Sequence, residues 1–335
     1  MSRITILGSG GWGTALAVMC CKYGHQVTLW SPFDAEVKTI RSDGENKKLL
    51  PGVKVPDEIN LTTDINLVVG ADLIIMAVPS FAVRSTSKRL RELLKGKQVI
   101  VNVAKGLEED SLKRMSQVIG EELPDTDIVA LSGPSHAEEV SRDVPTAIVA
   151  ASDSEEAAER VQEILMNQNF RIYVNTDIIG VELGASLKNV IALAAGVCDG
   201  LKLGDNTKAA LMTRGITEMA RLGVKMGGSA QTLAGLSGIG DLIVTCTSVH
   251  SRNRRAGIYI GEGLPVDKAI EKVGMTVEGY KTTHAAYMLS KKAGVEMPIV
   301  NECYNVLYEG KNPSKAIRDL MMREKKSEVD DLWPK

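Results

Sequence analysis

The sequence contains few of the residues from which metal sites and disulfide frameworks are built. Its five cysteines form no C-x-x-C pair and are odd in number, which suggests neither a zinc site nor a disulfide framework and fits a reducing compartment. The four histidines lie far apart and show no metal-ligand spacing. A G-x-S-x-G motif is also missing, which removes the case for an α/β-hydrolase nucleophile. We therefore expect no metal site and no disulfide.

An excess of either charge is absent as well. The chain has 40 basic and 42 acidic residues, so no global positive field attracts nucleic acid or an anionic membrane, and any anion site must be local. The most apolar segment contains Lys188, Asn189 and Asp199 before it reaches the ~20 residues of a membrane span. Residue 3 already begins a strand-like run, without a secretory leader. We expect a soluble, cytoplasmic protein with a small-molecule substrate.

Short β-branched runs alternate with helix-like segments in the first half of the chain. Such alternation predicts βαβ units and a doubly wound, largely parallel sheet covered by helices, over residues 1–178. The strand pattern then stops, and residues 179–335 are expected to form an all-α substrate or catalytic domain. The glycine-rich stretch 233–257 is interpreted as a long functional loop or several short turns. The predicted strands cover residues 3–8, 26–30, 72–78, 98–103, 127–132, 146–151 and 170–175, and the longer helical stretches cover 179–198, 207–226, 265–273, 279–293 and 298–308.

A G-x-G-x-x-G motif, formed by Gly8, Gly10 and Gly13, directly follows the first predicted strand and opens a helix. In this context Gly8 permits the tight turn, Gly10 lets a pyrophosphate approach the backbone, and Gly13 lets helix and strand pack closely. The helix N-terminus also favours an anion. Residues 1–178 are therefore predicted to be a Rossmann-like dinucleotide-binding domain, with a nucleotide-free structural turn as the alternative.

The choice between NAD(H) and NADP(H) is less clear from the sequence. The second predicted strand ends in "LWSPFD" and has no Asp or Glu at its immediate end to bind the ribose 2′-hydroxyl, which permits a 2′-phosphate. Asp34 lies near the usual distance from the glycine motif, but it could instead be the N-cap of the next helix. We expect NADP(H) to be accepted and leave NAD(H) open.

Lys188 lies within an apolar helical stretch and has no partner on its own helix. The residues three and four positions away are Gly184, Ala185, Ile191 and Ala192, none of which accepts a positive charge. Two interpretations remain open. The side chain could snorkel, with its stem on apolar surface and its ammonium in water, or the ammonium could point into a cleft and meet a distant carboxylate or a substrate.

Polar groups elsewhere could complete such a cleft. Asp241, in an otherwise uncharged run, could pair with a distant lysine, although a helix cap or turn role competes. The stretch "SRNRR" (251–255) combines hydroxyl, guanidinium and amide groups, a set suited to phosphate, with a solvated basic turn as the alternative. Lys105 follows a predicted strand and would face an anionic substrate, unless it is a surface lysine.

The segment after the predicted strand 127–132 carries Gly133 and Ser135. Ser135-x-x-Glu138 is predicted to form a capping box. Capping and ligand binding can coexist, because a capped helix N-terminus still presents free N–H groups.

A dinucleotide domain followed by a lysine and an arginine cluster indicates hydride transfer to or from a small phosphorylated alcohol or ketone. Lys188, tuned by Asp241, is the expected proton donor.

Six motifs carry a family resemblance, in order and over nearly the full length: "ILGSGGWGTALA", "VNVAKGLE", "SGPSHAEE", "ELGASLKNVIALAAGVCDG", "GIGDLIVTCTSVHSRNRR" and "VEGY". The chain resembles the bacterial-type NAD(P)-dependent glycerol-3-phosphate dehydrogenases. The resemblance implies reversible reduction of glycerone phosphate to sn-glycerol 3-phosphate, a supply for glycerophospholipid synthesis, and a homodimer.

The resemblance also implies roles for individual residues. Lys188 would be the general acid/base. The chain departs from the family pattern at Pro32, where many relatives have a polar or basic residue for a 2′-phosphate, and at His136, where Phe is more frequent. The substrate would be bound by Lys105, Gly133, Ser135, Lys188, Asp241, Ser251, Arg252 and Asn253, and the dinucleotide by Gly8, Gly10, Gly11, Trp12, Gly13, Pro32, Lys105, Ala137, Arg252, Thr276 and Glu278.

Two other functions are weighed against this one. A 3-hydroxyacid dehydrogenase or a ketopantoate reductase also pairs a nucleotide domain with a helical one and uses a lysine, but a carboxylate substrate needs only one anchoring cation, and "SRNRR" supplies a denser donor set. A non-enzymatic dinucleotide sensor would need no proton donor, so an unpaired lysine in an apolar helix argues against it.

Overall fold

The computed structural model describes residues 1–325, 327 and 328. Contacts within the chain divide it into two compact units. The first unit comprises Met1–Ala104 and Met115–Ile178. The second comprises Lys105–Arg114 and the chain from Ile179 onward.

The first unit is built on one eight-stranded sheet with the strand order β3-β2-β1-β4-β5-β6-β7-β8. All neighbouring strands are parallel except β6 and β7, which pair antiparallel. The order reverses direction at β1, which lies between β2 and β4, as expected for a doubly wound sheet. The strands are β1 Arg3–Leu7, β2 Gln26–Trp30, β3 Asn60–Thr62, β4 Leu73–Met76, β5 Val99–Asn102, β6 Asp127–Ser132, β7 Thr146–Ala151 and β8 Phe170–Asn175.

Helices cover both faces of this sheet. Successive side chains of a strand point to opposite faces. Along β1, Ile4 and Ile6 belong to one buried apolar cluster, whereas Leu7 belongs to another. Both faces are therefore buried, as is typical of parallel sheets. The helices of this unit are α1 Gly11–Lys22, α2 Asp34–Asp43, α3 Val83–Arg91, α4 Met115–Glu122, α5 Ala137–Val140 and α6 Glu155–Leu165.

The predicted doubly wound sheet is confirmed, and each predicted strand is present within a few residues of its predicted bounds. The sequence did not indicate β3. This strand has only three residues, Asn60–Thr62, and pairs with β2 alone at the edge of the sheet. A run so short shows no alternating pattern of apolar residues.

The second unit is helical in the described residues. Its longest helix, α7, is almost entirely buried around residues 181–193 and forms much of the apolar core. The helices are α7 Ile178–Gly200, α8 Gly204–Lys225, α9 Ala230–Leu233, α10 Asp241–Thr247, α11 Arg252–Gly261, α12 Val266–Val273, α13 Glu278–Ala293, α14 Pro298–Tyr308 and α15 Pro313–Met321.

The interpretation of residues 233–257 as a loop or short turns is wrong. A π-helical segment, Leu236–Gly240, runs into α10, and α11 follows after four residues. Two of the glycines that suggested a loop, Gly238 and Gly257, are required by close packing. A Cβ on Gly257 would lie 2.0 Å from the Leu193 carbonyl oxygen of α7, so α11 can pack on α7 only with glycine there.

Helix α7 is long and apolar enough to span a membrane by length and composition, despite Lys188 and Asp199. The sequence-based argument from these polar residues was therefore not sufficient to exclude a span. In the structure, 89% of its most apolar 18-residue window is buried within the protein. Burial of that extent is typical of the core helix of a helical domain.

Segment 105–114 belongs with the helical unit, although the predicted boundary placed it in the nucleotide domain. Leu107 packs in the same apolar cluster as Leu187 of α7. The guanidinium of Arg114 pairs with the carboxylate of Glu182, also on α7, at 2.5 Å. These long-range contacts have no local sequence pattern, which is why a division by secondary structure misses them.

Candidate active site

The glycine-rich turn between β1 and α1 is shaped by two close backbone approaches. Gly8 has a φ of +121°, a conformation that L side chains rarely adopt. A Cβ on Gly13 would lie 1.9 Å from the Gly8 carbonyl oxygen. Both positions therefore need glycine for the turn itself, as the motif predicts.

Gly10 differs, because a Cβ there would meet nothing within 4 Å. It is the N-cap of α1, which begins at Gly11 and has no side-chain cap. The first N–H groups of a helix lack intrahelical partners and favour an anion. The indole Nε1 of Trp12 is also buried without a hydrogen-bond partner in the part of the chain that the structure describes. Open space, unsatisfied donors and a helix N-terminus together fit the pyrophosphate of a dinucleotide.

The segment after β2 excludes one of the two interpretations of Asp34, the N-cap. The N-cap of α2 is Phe33, and Asp34 is the first helical residue. Its carboxylate pairs with Lys38 at 2.5 Å on the exposed face of the helix. Asp34 is therefore not the N-cap. Pro32 is exposed in the same turn, directly before Phe33.

The segment after β6 lies in the first unit. Gly133 is buried with a φ of +147°, and a Cβ there would meet Ile148 Cα at 2.9 Å. The hydroxyl of Ser135 donates to the carbonyl of Gly133 at 2.9 Å. His136, not Ser135, is the N-cap of the short helix α5, which begins at Ala137 and has no side-chain cap. Ser135 is therefore not the N-cap that the predicted capping box requires.

Lys188 and Asp241 form a buried ion pair in the helical unit. The Lys188 Nζ lies 2.7 Å from Asp241 Oδ1, and the two residues are 5% and 1% exposed. The same Nζ donates to the hydroxyl of Thr245 at 2.6 Å. The predicted partnership is confirmed, and the snorkelling interpretation is wrong because the ammonium is buried.

A second ammonium shares the carboxylate. Lys105 Nζ lies 2.7 Å from Asp241 Oδ2, so Asp241 bridges two lysines through its two oxygens. The Lys105 side chain is 19% exposed, which is incompatible with an ordinary surface lysine. The two lysines are brought together by their common carboxylate although they lie 83 positions apart in the sequence (188 minus 105).

The electrostatics of this cluster bring the pKa of Lys188 near neutral pH. The pKa of Lys188 is lowered to about 8 by burial, the largest effect, and by the positive charge of Lys105, while Asp241 opposes both effects. Burial alone would raise the pKa of Asp241, but the two lysines together hold it below its ordinary value. Asp241 is therefore ionised, and Lys188 can exchange a proton at physiological pH.

Two residues that the sequence did not single out hold this cluster in place. The hydroxyl of Thr245 donates to the Asp241 carbonyl at 2.6 Å while it accepts from Lys188. The amide of Asn189 donates to the Lys105 carbonyl at 3.2 Å. Thr245 lies four residues after Asp241, on the same face of α10, a spacing that could have indicated the contact.

The "SRNRR" stretch forms the start of α11. Ser251 is buried and caps the helix by accepting the N–H of Arg254. Asn253 donates to the Asn189 side chain at 2.8 Å and accepts from the Gly279 N–H at 2.9 Å. Through Asn189, α11 is connected to the lysine cluster. Arg252 is exposed at the first helical position.

Arg254 has a different partner from the rest of this stretch. Its Nε lies 2.6 Å from Asp199, whose other oxygen pairs with Lys208 at 2.5 Å. Arg254 therefore stabilises the helical unit. The remaining predicted dinucleotide contacts, Thr276 and Glu278, lie just before α13 and at its first residue, and both are partly buried.

These features define a class of protein. A Rossmann-like unit with an open glycine-rich turn and a helical unit with a buried lysine, whose pKa lies near neutral pH, are the parts of a dinucleotide-dependent oxidoreductase. Among the described residues, no cluster of three or more His, Cys, Asp or Glu side chains could hold a metal.

Comparisons with known proteins specify the family. Residues 3–158 match the model of the NAD-dependent glycerol-3-phosphate dehydrogenase N-terminus, and residues 177–318 match that of the C-terminus. The glycerol-3-phosphate dehydrogenase (NAD(P)+) of Desulfitobacterium hafniense is 52% identical, over 99% of this chain and 94% of its own. That of a Thermoanaerobacter species is 53% identical, over 98% of this chain and 100% of its own.

The fold agrees with these matches. A crystal structure of glycerol-3-phosphate dehydrogenase from Coxiella burnetii superposes with a TM-score of 0.93 at 39% identity, over 96% of this chain and 99% of that one. The chain belongs to the NAD-dependent glycerol-3-phosphate dehydrogenase family. As a member, it is an oxidoreductase that uses NAD(H) or NADP(H). These matches do not favour the alternative functions, a 3-hydroxyacid dehydrogenase or ketopantoate reductase and a non-enzymatic dinucleotide sensor.

Proposed function

We propose that the protein reduces glycerone phosphate to sn-glycerol 3-phosphate, reversibly, and supplies glycerophospholipid synthesis. The observation that carries the chemistry is the buried Lys188 ammonium, whose pKa is about 8 and whose Nζ lies 2.7 Å from Asp241. Reduction of a ketone needs a proton at the oxygen that becomes a hydroxyl, and an acid with a pKa near the working pH suits this step.

Lys188 is the proton donor. An ammonium has three N–H donors. Two are used, on Asp241 and Thr245, and the third, which has no acceptor among the described residues, would donate to the C2 oxygen of the substrate. As C2 accepts a hydride, the former carbonyl oxygen takes a proton from Lys188, which becomes neutral. In the reverse direction the neutral amine takes the hydroxyl proton.

Asp241 positions Lys188 and keeps it protonated. Without this carboxylate, burial and Lys105 would both favour the neutral amine at physiological pH. Lys105 adds positive charge beside the same carboxylate and binds the anionic substrate. Thr245 and Asn189 hold the cluster in its geometry, so we assign them as positioning residues.

The substrate phosphate is assigned to the start of α11. Arg252 is an exposed residue there, and guanidinium groups bind phosphate through paired hydrogen bonds. Ser251 and Asn253 are engaged in the helix cap and in the contact with Asn189, so their contribution is to shape this end of the helix. Gly133 and Ser135 remain proposed substrate contacts.

The dinucleotide is assigned to the open turn at the start of α1. Gly8 and Gly13 shape the turn, and the N-terminus of α1 with Gly10, Gly11 and Trp12 would hold the pyrophosphate. When bound, the nicotinamide donates or accepts the hydride. Further proposed contacts are Pro32, Lys105, Ala137, Arg252, Thr276 and Glu278.

A direct assay tests this function. Purified protein is mixed with glycerone phosphate and NADH or NADPH, and nicotinamide absorbance is followed. We expect oxidation of the cofactor that depends on glycerone phosphate. The substrates of the alternative enzymes, 3-oxo acids and ketopantoate, should be inactive. Absence of turnover with both cofactors would reject the proposal. We also propose that the protein is a homodimer and is located in the cytoplasm. Sedimentation measures the oligomeric state.

A further inference from the structure

A carboxylate lies beside the glycine-rich turn, at a position that sequence reasoning did not identify. Glu36, in the first turn of α2, accepts a hydrogen bond from the Ser9 hydroxyl at 2.8 Å through Oε2. The same oxygen accepts from the Ser31 hydroxyl, also at 2.8 Å. Both serines are almost fully buried, at 4% and 1% exposure. The carboxylate is therefore held by two fixed donors, while its second oxygen, Oε1, has no hydrogen bond among the described contacts.

The two serines place the Glu36 carboxylate between the glycine-rich turn and the end of β2. Ser9 lies between Gly8 and Gly10, within the turn that a pyrophosphate approaches. Ser31 directly follows β2. In Rossmann-like folds, an Asp or Glu at the end of the second strand, about 20 residues beyond the glycine motif, hydrogen-bonds the ribose 2′-hydroxyl. Glu36 reaches that place from α2, although the strand itself ends without an acidic residue.

The surroundings do not favour a 2′-phosphate. A phosphate at this place would meet the Glu36 carboxylate and would need a cation to offset the repulsion. Two basic side chains of α2 have other partners: Lys38 pairs with Asp34 at 2.5 Å, and Arg41 donates to the Leu61 carbonyl at 2.7 Å. Position 32, directly after Ser31, is a proline and supplies no charge.

We propose that Glu36, fixed by Ser9 and Ser31, binds the ribose 2′-hydroxyl and makes NADH the preferred cofactor over NADPH. This rests on the proposed dinucleotide site at the start of α1. It concerns the preference between NAD(H) and NADP(H), which the sequence left open. The carboxylate that the sequence lacked at the strand end is supplied from the next helix.

Binding measurements test the proposal without turnover. Dissociation constants of NADH and NADPH are measured by fluorescence for the wild type, for Glu36→Gln and for the matched control Asp34→Asn, in which the exposed carboxylate of the same helical turn is removed. A hydrogen bond to a charged group changes affinity at least about 10-fold. We expect wild-type protein to bind NADH at least about 10-fold more tightly than NADPH. Glu36→Gln should reduce that ratio at least about 10-fold, and Asp34→Asn should leave it unchanged.

Three results would overturn the proposal: equal or tighter binding of NADPH by the wild type, an unchanged ratio in Glu36→Gln, or an equal change in Asp34→Asn. If Glu36→Gln does not fold, the wild type alone decides, through its affinities for 5′-AMP and for adenosine 2′,5′-bisphosphate, of which the first should be at least about 10-fold tighter. Failure to bind either dinucleotide overturns the proposed function as well, whereas normal discrimination without turnover rejects only the proposed reaction.

Discussion

Replacing Asp241 with Asn should move the pH dependence of catalysis, because this carboxylate opposes the two effects that lower the pKa of Lys188. In the wild type that pKa is about 8, so kcat/KM for reduction should fall as the pH rises through 8 and the acid form is lost. In Asp241→Asn, burial and the charge of Lys105 remain while the opposing charge disappears. The fall should then occur at lower pH.

The ion-pair geometry sets the size of this effect. Charges 2.7 Å apart attract by roughly 6 kcal/mol at an effective dielectric constant of about 20, which is an upper limit because Asp241 is shared with Lys105. Neighbouring opposite charges usually change a pKa by about 1–3 units, or about 1.4–4 kcal/mol. We expect the descending limb to move down by about 1–3 pH units.

The assay is the pH profile of kcat/KM for glycerone phosphate reduction, from pH 5 to 10. Asp199→Asn is a matched control, because Asp199 also bridges two cations, Lys208 and Arg254, in the same unit. Removing one member of a buried pair is destabilising by about 3–5 kcal/mol, so thermal unfolding is measured for both variants. A descending limb that stays at the wild-type pH in Asp241→Asn would refute the role of this carboxylate.

Three further predictions concern the turn, the fold and the phosphate. Gly13→Ala should destabilise the protein, because its Cβ would lie 1.9 Å from a backbone oxygen. Gly10→Ala has open space around the new methyl group, so it should keep the melting temperature and weaken NADH binding about 10-fold. Equal losses of melting temperature in the two variants would contradict this prediction. Glu218, buried and accepting the N–H groups of Ile299 and Val300, has a pKa raised to about 7 by burial. Because the folded state holds this proton more tightly than the unfolded state, stability should decline by about 3 kcal/mol from pH 4.5 to pH 7 through this group, and urea unfolding of Glu218→Gln should show a flatter pH dependence. Arg252→Ala should raise the KM for substrate, whereas Arg254→Ala, which breaks the pair with Asp199, should lower the melting temperature. The reverse pattern would exchange their assigned roles.

The sheet was predictable because its strands are buried on both faces and their sequences are short β-branched runs between helices. The same rule fails for Asn60–Thr62, which is too short to show a pattern. In the helical unit, glycine misled the prediction for residues 233–257. Local rules associate glycine with loops, but Gly257 is glycine because α11 and α7 approach closely there.

The site was partly predictable for a related reason. A lysine without helical partners indicates that its partner is distant, and Asp241 was the available carboxylate; the structure confirms their contact. Glu36 was not predicted because its distance from the glycine motif in the sequence does not distinguish it from Asp34 on the same helix; only the fold shows that its carboxylate reaches Ser31 from α2. Side chains that reach a site from a neighbouring element leave no signal at the position where a motif is expected.

Lys188 supplies the proton for ketone reduction, and the turnover of a variant without this ammonium tests that role. The kcat for glycerone phosphate reduction is compared between the wild type and Lys188→Ala, with NADH affinity measured on the same samples. Loss of a general acid predicts a kcat at least ~10²-fold lower, with NADH affinity retained and the pH limb near 8 absent. A variant with near-normal kcat and the same limb would contradict the account.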